Sequence, residues 1–205
     1  LLNISHCRTS FWPTLQVGLL IGIAFTSYAS ALLETTIMRA TLMFYLSPIW
    51  GTIIGHFFLS EPFTRARLLS ICIAIVGLIL LLSGTNNSSY PLNIGDLFAF
   101  LSGILFSCGS SILKHRPDIK MIPLTSFVYI FTSVGAFLLI IFISNEPLIN
   151  IKTFLPSIPY VFMWSTIILL PSFMIVFKVS QILFPGRVAI LLMSEVVVAI
   201  ISASV

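Results

Sequence analysis

A single carboxylate interrupts an apolar run near the end of the 205-residue chain: Glu195, within residues 188–205. An ionised carboxylate at the centre of a bilayer costs at least about 2.5 to 3.5 kcal/mol, so the side chain of Glu195 must face a bundle interior or a wet cavity. One interpretation is a substrate or proton site, in which the carboxylate pairs with an ammonium group or changes its protonation. The other is a neutral Glu bonded to a neighbouring helix. The sequence supports these two interpretations of Glu195 about equally.

Proline interrupts a second apolar run, at Pro48. It removes one backbone hydrogen bond and leaves a carbonyl free, which a membrane helix tolerates best beside a cavity or a polar neighbour. Ser47 and Trp50 flank this weak point. We interpret Pro48 first as a packing kink, which can also act as the hinge of a moving helix.

Aromatic rings inside apolar runs could line a cavity that holds an amphipathic or cationic solute. The candidates are Tyr28, Tyr45, Trp50 and Trp164.

Two polar residues have both a functional and a structural interpretation. Ser107 is a candidate substrate contact, although it belongs to a small-residue stripe with Gly103 and Ser111 that is typical of close helix packing. His56 is a candidate proton relay because imidazole titrates near neutrality. A lone His of this kind is more often a satisfied polar contact.

Composition assigns the chain to a membrane. It is 58% hydrophobic and only 8% charged, whereas soluble domains carry about 25% charged residues. The ten Lys and Arg residues behind the net charge of +4 are scattered rather than clustered, which disfavours nucleic-acid binding. Cys7, Cys72 and Cys108 have neither CxxC spacing nor a nearby His partner, so we expect no metal site, disulfide framework or cofactor.

Seven stretches are long and apolar enough to be spanning helices, two of them short. Their patterns are apolar on every side, which favours an all-helical bundle over a β-barrel. The predicted spans are residues 14–33, 40–60, 68–83, 97–113, 123–143, 157–177 and 188–205.

The distribution of positive charge predicts the orientation of these spans in the membrane. Eight Lys and Arg residues fall on one alternating side and two on the other, Arg39 and Lys152, so the first group is predicted to be cytoplasmic. The first span then runs outward, and residues 84–95 lie outside. The eight are Arg8, Arg65, Arg67, Lys114, Arg116, Lys120, Lys178 and Arg187.

An offset of 148 residues produces a weak internal match. It places Arg39 on Arg187 and Gly51 on Ala199, with other small residues on small residues. Five spans separate the matched helices, and this odd number means that the second copy crosses the membrane in the opposite direction. Inverted repeats of this kind are typical of secondary transporters.

Three strings in the first half resemble a known family. They are YLSPIWG over residues 45–51, FLSEPFT over residues 58–64 and GLILL over residues 77–81. This pattern of mid-helix Pro, Glu at a helix end and a small-residue helix behind it resembles the EamA-type domain of the drug/metabolite transporter superfamily. In the second half, Gly95-Asp96-Leu97 resembles the opening of that family's second domain, and Ser194-Glu195-Val196 resembles its ninth helix.

The resemblance implies ten helices in two inverted five-helix repeats, of which this chain holds the third to the ninth. Residues 1–84 would be the last three helices of the first repeat, residues 85–95 an outward linker, and residues 96–205 four helices of the second repeat with its last helix missing. A chain that begins without Met and ends inside an apolar run agrees with a fragment.

We therefore expect a secondary transporter in the inner, cytoplasmic membrane that moves an amino acid, a related metabolite or an amphiphilic compound by alternating access. The expected partners are this solute and the lipid bilayer, and the sequence leaves a homodimer open. A channel or a scaffolding bundle is the alternative, although no ring of like charges is visible. An enzyme is disfavoured because the sequence shows no catalytic constellation and no phosphate-binding loop.

Overall fold

The computed structural model describes residues 4–61, 65, 68–69, 71–73, 75–76, 93–143 and 155–192. These residues form helices and short connections, with no strand among them. Among the residues that the structure describes, five helical segments are long and apolar enough to cross a membrane: Phe11–Glu34, Ile37–Leu59, Ile94–His115, Met121–Ile141 and Leu155–Ile182. The all-helical, multi-span architecture predicted from the sequence is therefore confirmed.

We number the helices along the described chain. They are α1 (Ile4–Glu34), α2 (Ile37–Phe44), α3 (Ser47–Leu59), α4 (Ile94–His115), α5 (Met121–Ile143), α6 (Ile158–Trp164), α7 (Leu170–Ile182) and α8 (residues 185–192). A 3-10 turn, Leu155–Ser157, precedes α6, and a π-helical turn, Ser165–Leu169, joins α6 to α7.

Five of the seven predicted spans overlap these helices, and their ends agree within about five residues except at α1, which begins ten residues before the predicted span. The predicted span 40–60 differs most, because the structure divides it into α2 and α3. The predicted spans 68–83 and 188–205 lie mostly outside the described residues. The Glu195 position is among those not described.

Helix α4 is the central element of the bundle and contacts α1, α2, α3 and α7. Its small residues allow this, because glycine and serine side chains let neighbouring backbones come close. Gly109 lies against Ile21 of α1, and Gly103 lies against the Phe44 carbonyl oxygen. The small-residue stripe seen in the sequence is therefore a packing surface.

Glycines also set the contact between α1 and α5. A Cβ atom on Gly18 would lie 2.6 Å from Cβ of Phe127, and one on Gly22 would lie 2.6 Å from Cβ of Phe131. In return, Gly135 of α5 makes room for Thr26 of α1, whose hydroxyl donates to the Gly22 carbonyl at 2.9 Å. The two helices thus interlock through small residues on both sides.

Both ends of α4 are fixed by polar contacts. At its start, the Asn93 side chain accepts a hydrogen bond from the Asp96 amide at 3.0 Å, and Asp96 accepts one from the Asn93 amide at 3.1 Å. This reciprocal capping box satisfies amide groups that a helix start leaves open. At its end, Lys114 Nζ donates to the Ile182 carbonyl at 2.5 Å. The capping box therefore fixes the start of α4, and the Lys114 bond ties its end to α7.

The segment from Leu155 to Trp164 has no buried residue. Apart from Ser157 its side chains are apolar or aromatic, and Tyr160, Phe162 and Trp164 are all more than half exposed. A surface of this composition matches hydrocarbon rather than water. This segment therefore forms an outer, lipid-compatible face of the described bundle.

Replacement of Gly22 by Ala should separate α1 from α5, because the added methyl group would lie against Cβ of Phe131. We expect Gly22→Ala to lower the free energy of unfolding by about 1 to 3 kcal/mol, the usual range for overpacking. Ile23→Ala is the matched control, since Ile23 is 43% exposed on the same helix. Reversible unfolding in mixed micelles measures the free energy of unfolding of both variants. An equal loss in the two variants would contradict this packing.

Candidate functional site

A broken helix lies near the middle of the bundle. Helix α2 ends at Phe44, Tyr45 and Leu46 form a turn, and α3 begins at Ser47. The Leu46 amide donates to the Met43 carbonyl at 3.3 Å, a tighter pattern than that of an α-helix. The chain therefore crosses the bundle as two helical segments rather than one.

The sequence explains the break. Pro48 has no amide hydrogen to donate to the carbonyl of Phe44, four residues earlier, and inside a helix its ring crowds that carbonyl. It lies in the first turn of α3, where a missing donor is tolerated. The predicted hinge residue is thus beside the interruption, buried, and three residues beyond Tyr45.

A serine and a glycine of α4 face the broken segment. Ser107 Oγ lies 3.1 Å from the Ser47 carbonyl oxygen and 2.8 Å from the Gly103 carbonyl oxygen of its own helix, and its single proton is shared between these two acceptors. Gly103 leaves room for the Phe44 carbonyl, from which its own Cβ would be 3.1 Å away. The Phe44 carbonyl, which Pro48 leaves without its helical donor, therefore lies against α4 and not against lipid, as a membrane interior requires.

Aromatic rings from five helices meet beside the break, and we call this cluster the aromatic junction. Phe25 stacks on Phe173 with a centroid distance of 4.9 Å, and Phe106 lies 6.3 Å from Phe25 and 5.9 Å from Phe44. Tyr129 lies 6.0 Å from Phe173. Its members are Phe25, Phe44, Phe106, Tyr129, Phe173 and Phe177.

The junction contains a buried hydroxyl group with no protein partner in the described part of the chain, that of Tyr129. The Ser110 hydroxyl, one helical turn beyond Phe106, is in the same condition. An unsatisfied buried hydroxyl is costly, so such groups commonly contact water or a ligand. The junction therefore offers aromatic faces together with at least one free hydrogen-bond donor.

The structure brings some predicted site residues together here. The Tyr28 hydroxyl forms a hydrogen bond of 3.0 Å with the Thr41 hydroxyl. Its ring packs on Phe44, with ring centroids 5.2 Å apart. Tyr45 lies in the break itself, 6.0 Å from the same ring. With Ser107 and Pro48, four predicted residues thus surround the interruption.

Other predicted residues lie apart from it. Trp50 packs edge-on against Phe100 at 5.3 Å, and its indole N–H has no partner among the described residues. Trp164 is 57% exposed at the end of α6, on the lipid-compatible face. His56 Nδ1 lies 3.0 Å from the Glu61 carbonyl at the far end of α3. Glu195 falls outside the described residues.

The sequence interpretation missed most of the junction. Phe25, Phe106 and Phe173 look like ordinary lipid-facing or core residues among the eighteen Phe residues of the chain. Only their contacts across different helices set them apart. Tyr129 could have been found, because it is a polar aromatic residue inside the apolar span 123–143.

Two clefts of about 400 and 380 Å³ lie at opposite ends of α1. The first has Arg116 and His115 at its rim, and the second has Glu34. The first is lined by Pro13, Gln16, Ile54, Phe58, Leu59, Cys108, Ser111, Ile112, His115 and Arg116. The second is lined by Ala29, Ser30, Leu33, Glu34, Phe98, Ala136, Leu139 and Ile140.

The described residues contain no candidate metal-binding site. They hold no group of three or more His, Cys, Asp and Glu side chains able to bind an ion together.

A helix broken inside the membrane and lined by small and aromatic residues is an arrangement found in transporters. Residues 4–83 match the EamA-like transporter family. The resemblance drawn from the sequence is thereby confirmed over this segment, which holds α1, α2 and α3. No curated protein and no solved structure matches the chain. Beyond residue 83, helices α4 to α8 are known from the structure alone.

Proposed function

We propose that this protein is a secondary transporter of a small organic metabolite, with its solute site at the aromatic junction and the helix break. The match of residues 4–83 to the EamA-like transporter family carries the proposal. Five helices able to cross a membrane support it. The solute would be an amino acid, a related metabolite or an amphiphilic compound.

The composition of the junction supports this location. Its rings come from α1 and α2 in the EamA segment and from α4, α5 and α7 beyond it. Aromatic faces bind apolar or cationic groups, and a hydroxyl group without a partner among the described residues, such as that of Tyr129, can fix their orientation. A site shared between two such groups of helices can be exposed to either side when one group rocks against the other.

The transport proposal is tested by flux measurements in vesicles that contain the protein. We expect uptake of labelled metabolites to saturate and to show counterflow, because each solute molecule must occupy a site that reorients. Amino acids and amphiphilic cations are the first solutes to screen, with and without a pH gradient. Flux that never saturates would indicate a channel instead, and no flux for any solute would favour a scaffold.

Tyr129 is proposed as a solute contact. Tyr129→Phe removes a hydroxyl group with no partner among the described residues, so it should leave the free energy of unfolding within about 0.5 kcal/mol of the parent value. It should raise the KM for transport at least about fivefold, which corresponds to one lost hydrogen bond.

Tyr28→Phe is the matched control for this variant. Its hydroxyl already bonds Thr41, so its removal should lower stability by about 0.6 kcal/mol, the usual value for a hydrogen bond inside a membrane protein. The two Tyr variants should therefore have different effects: Tyr129→Phe raises the KM for transport, and Tyr28→Phe lowers the free energy of unfolding. An unchanged KM in Tyr129→Phe would remove this residue from the site.

Glu195 is proposed as the group that couples transport to protons or binds an ammonium group. Glu195→Gln keeps the size and removes the charge change, so it should abolish any stimulation by a pH gradient while insertion and protein level stay normal. Counterflow without a gradient distinguishes coupling from solute binding: it persists if Glu195 only carries the proton. Unchanged transport under both conditions would show that Glu195 is structural.

A further inference from the structure

Two arginines at repeat-related positions both pair with a buried carboxylate. They are Arg39 and Arg187, which the offset of 148 residues places on one another. Arg39 is in the first turn of α2, and Arg187 is in the first turn of α8. The internal sequence match compared residue types alone. In the structure, both arginines have a carboxylate as their partner.

The Arg39 pair is tight and well supported. Arg39 Nη2 lies 2.5 Å from Asp96 Oδ2, and the Asp96 side chain is only 4% exposed. The Thr35 hydroxyl donates to Asp96 Oδ1 at 3.1 Å, and the Asn93 amide donates to Oδ2 at 3.1 Å. Because its oxygen atoms receive several donors, Asp96 is held in place for the arginine.

The Arg187 pair is longer. Arg187 Nε lies 4.0 Å from Glu61 Oε1, beyond hydrogen-bond distance, and the two side chains are 59% and 2% exposed, respectively. Gly55 provides the space for this carboxylate, since a Cβ atom there would lie 2.7 Å from Oε2. Next to it, Gly51 allows the backbone of Gly186 to approach α3. The glycine pair of α3 therefore brings Glu61 and the start of α8 together.

The two pairs lie at opposite ends of the bundle. Asp96 is in the first turn of α4, whereas Lys114, in its last turn, contacts the ring of Phe184 that Arg187 also contacts. Eighteen residues of α-helix separate Asp96 from Lys114, which corresponds to about 27 Å, close to the thickness of a bilayer core. The predicted topology places the Arg39 pair outside and the Arg187 pair in the cytoplasm.

Each pair also joins the same two parts of the chain. Arg39 and Glu61 belong to the EamA segment, and Asp96 and Arg187 lie beyond it. One pair therefore fastens the two parts together at one face, and the other fastens them at the opposite face. Opening of either face between these parts would therefore separate its own pair.

We propose that Arg39–Asp96 and Arg187–Glu61 are two latches that open alternately, and that these four side chains are positioning residues of the transport cycle. This inference rests on the proposed transport function. Opening a face admits water, which solvates the separated charges and limits the cost of breaking the pair. The distances of 2.5 and 4.0 Å identify the Arg187 latch as the looser one in this structure.

Two buried residues report on the latches. Ala40 is fully buried and Val188 is 2% exposed, and each directly follows one of the arginines. In a background with Cys7, Cys72 and Cys108 replaced by Ser, Ala40→Cys and Val188→Cys provide one thiol beside each latch. A membrane-impermeant maleimide, added to right-side-out or inside-out vesicles, then measures how open each face is.

Arg39→Gln should raise the labelling rate at position 40 from outside about tenfold and lower the rate at position 188 from the cytoplasmic side. Arg187→Gln should produce the reverse pattern. Lys120→Gln is the control, because Lys120 is an exposed cation in the loop between α4 and α5. Arg39→Lys, which keeps the charge, should restore most of the parent labelling at both positions.

Opposite changes at the two reporters would support alternating latches. A rise at both reporters would show that the ion pairs are fixed structural contacts, and no change at either would also overturn the proposal. Glu61→Gln provides a second route to an open cytoplasmic latch if Arg187→Gln is poorly produced. Opposite labelling changes without saturable flux would contradict the proposed function alone, and saturable flux without them would contradict the latches alone.

Discussion

Hydrocarbon offers no hydrogen bonds to the backbone, and this constraint governs the structure around the broken helix. A continuous helix satisfies its own amide and carbonyl groups, but Pro48 removes the amide donor that the Phe44 carbonyl would receive in such a helix. The interruption is tolerated because protein surrounds it. Ser107 donates to a backbone carbonyl there, and Gly103 lets the chain approach α4. The break between α2 and α3 therefore depends on the small residues of α4.

The same requirement explains the many buried hydroxyl groups of the bundle. Thr26, Ser30 and Ser180 each donate to the carbonyl four residues earlier on their own helix. This bond hides a polar group without help from a second helix. Tyr129 cannot do the same, because its hydroxyl group is too far from its own backbone. A buried Tyr hydroxyl without a partner is therefore more informative than a buried Ser, and it draws attention to the aromatic junction.

The sequence predicted the architecture better than the site. Long apolar runs identify spans with few alternatives, since a bilayer fixes both their length and their composition. Pro48 also indicated the place of an irregular helix, although the division into α2 and α3 was not foreseen. The junction escaped prediction because its rings come from separate helices, and periodicity along one helix cannot show which faces meet. Gly18 and Gly22 were available as an i, i+4 pair, yet their aromatic partners on α5 required coordinates.

The π-helical turn between α6 and α7 has a consequence of its own. The Leu170 amide donates to the Ser165 carbonyl five residues earlier, next to Pro171, which has no amide hydrogen to donate. Such a turn holds one residue more than an α-helical turn. Aromatic residues before it, such as Trp164, and after it, such as Phe173, consequently lie out of the phase that a regular helix would impose. One span can thereby present rings to lipid along its first half and to the protein interior along its second.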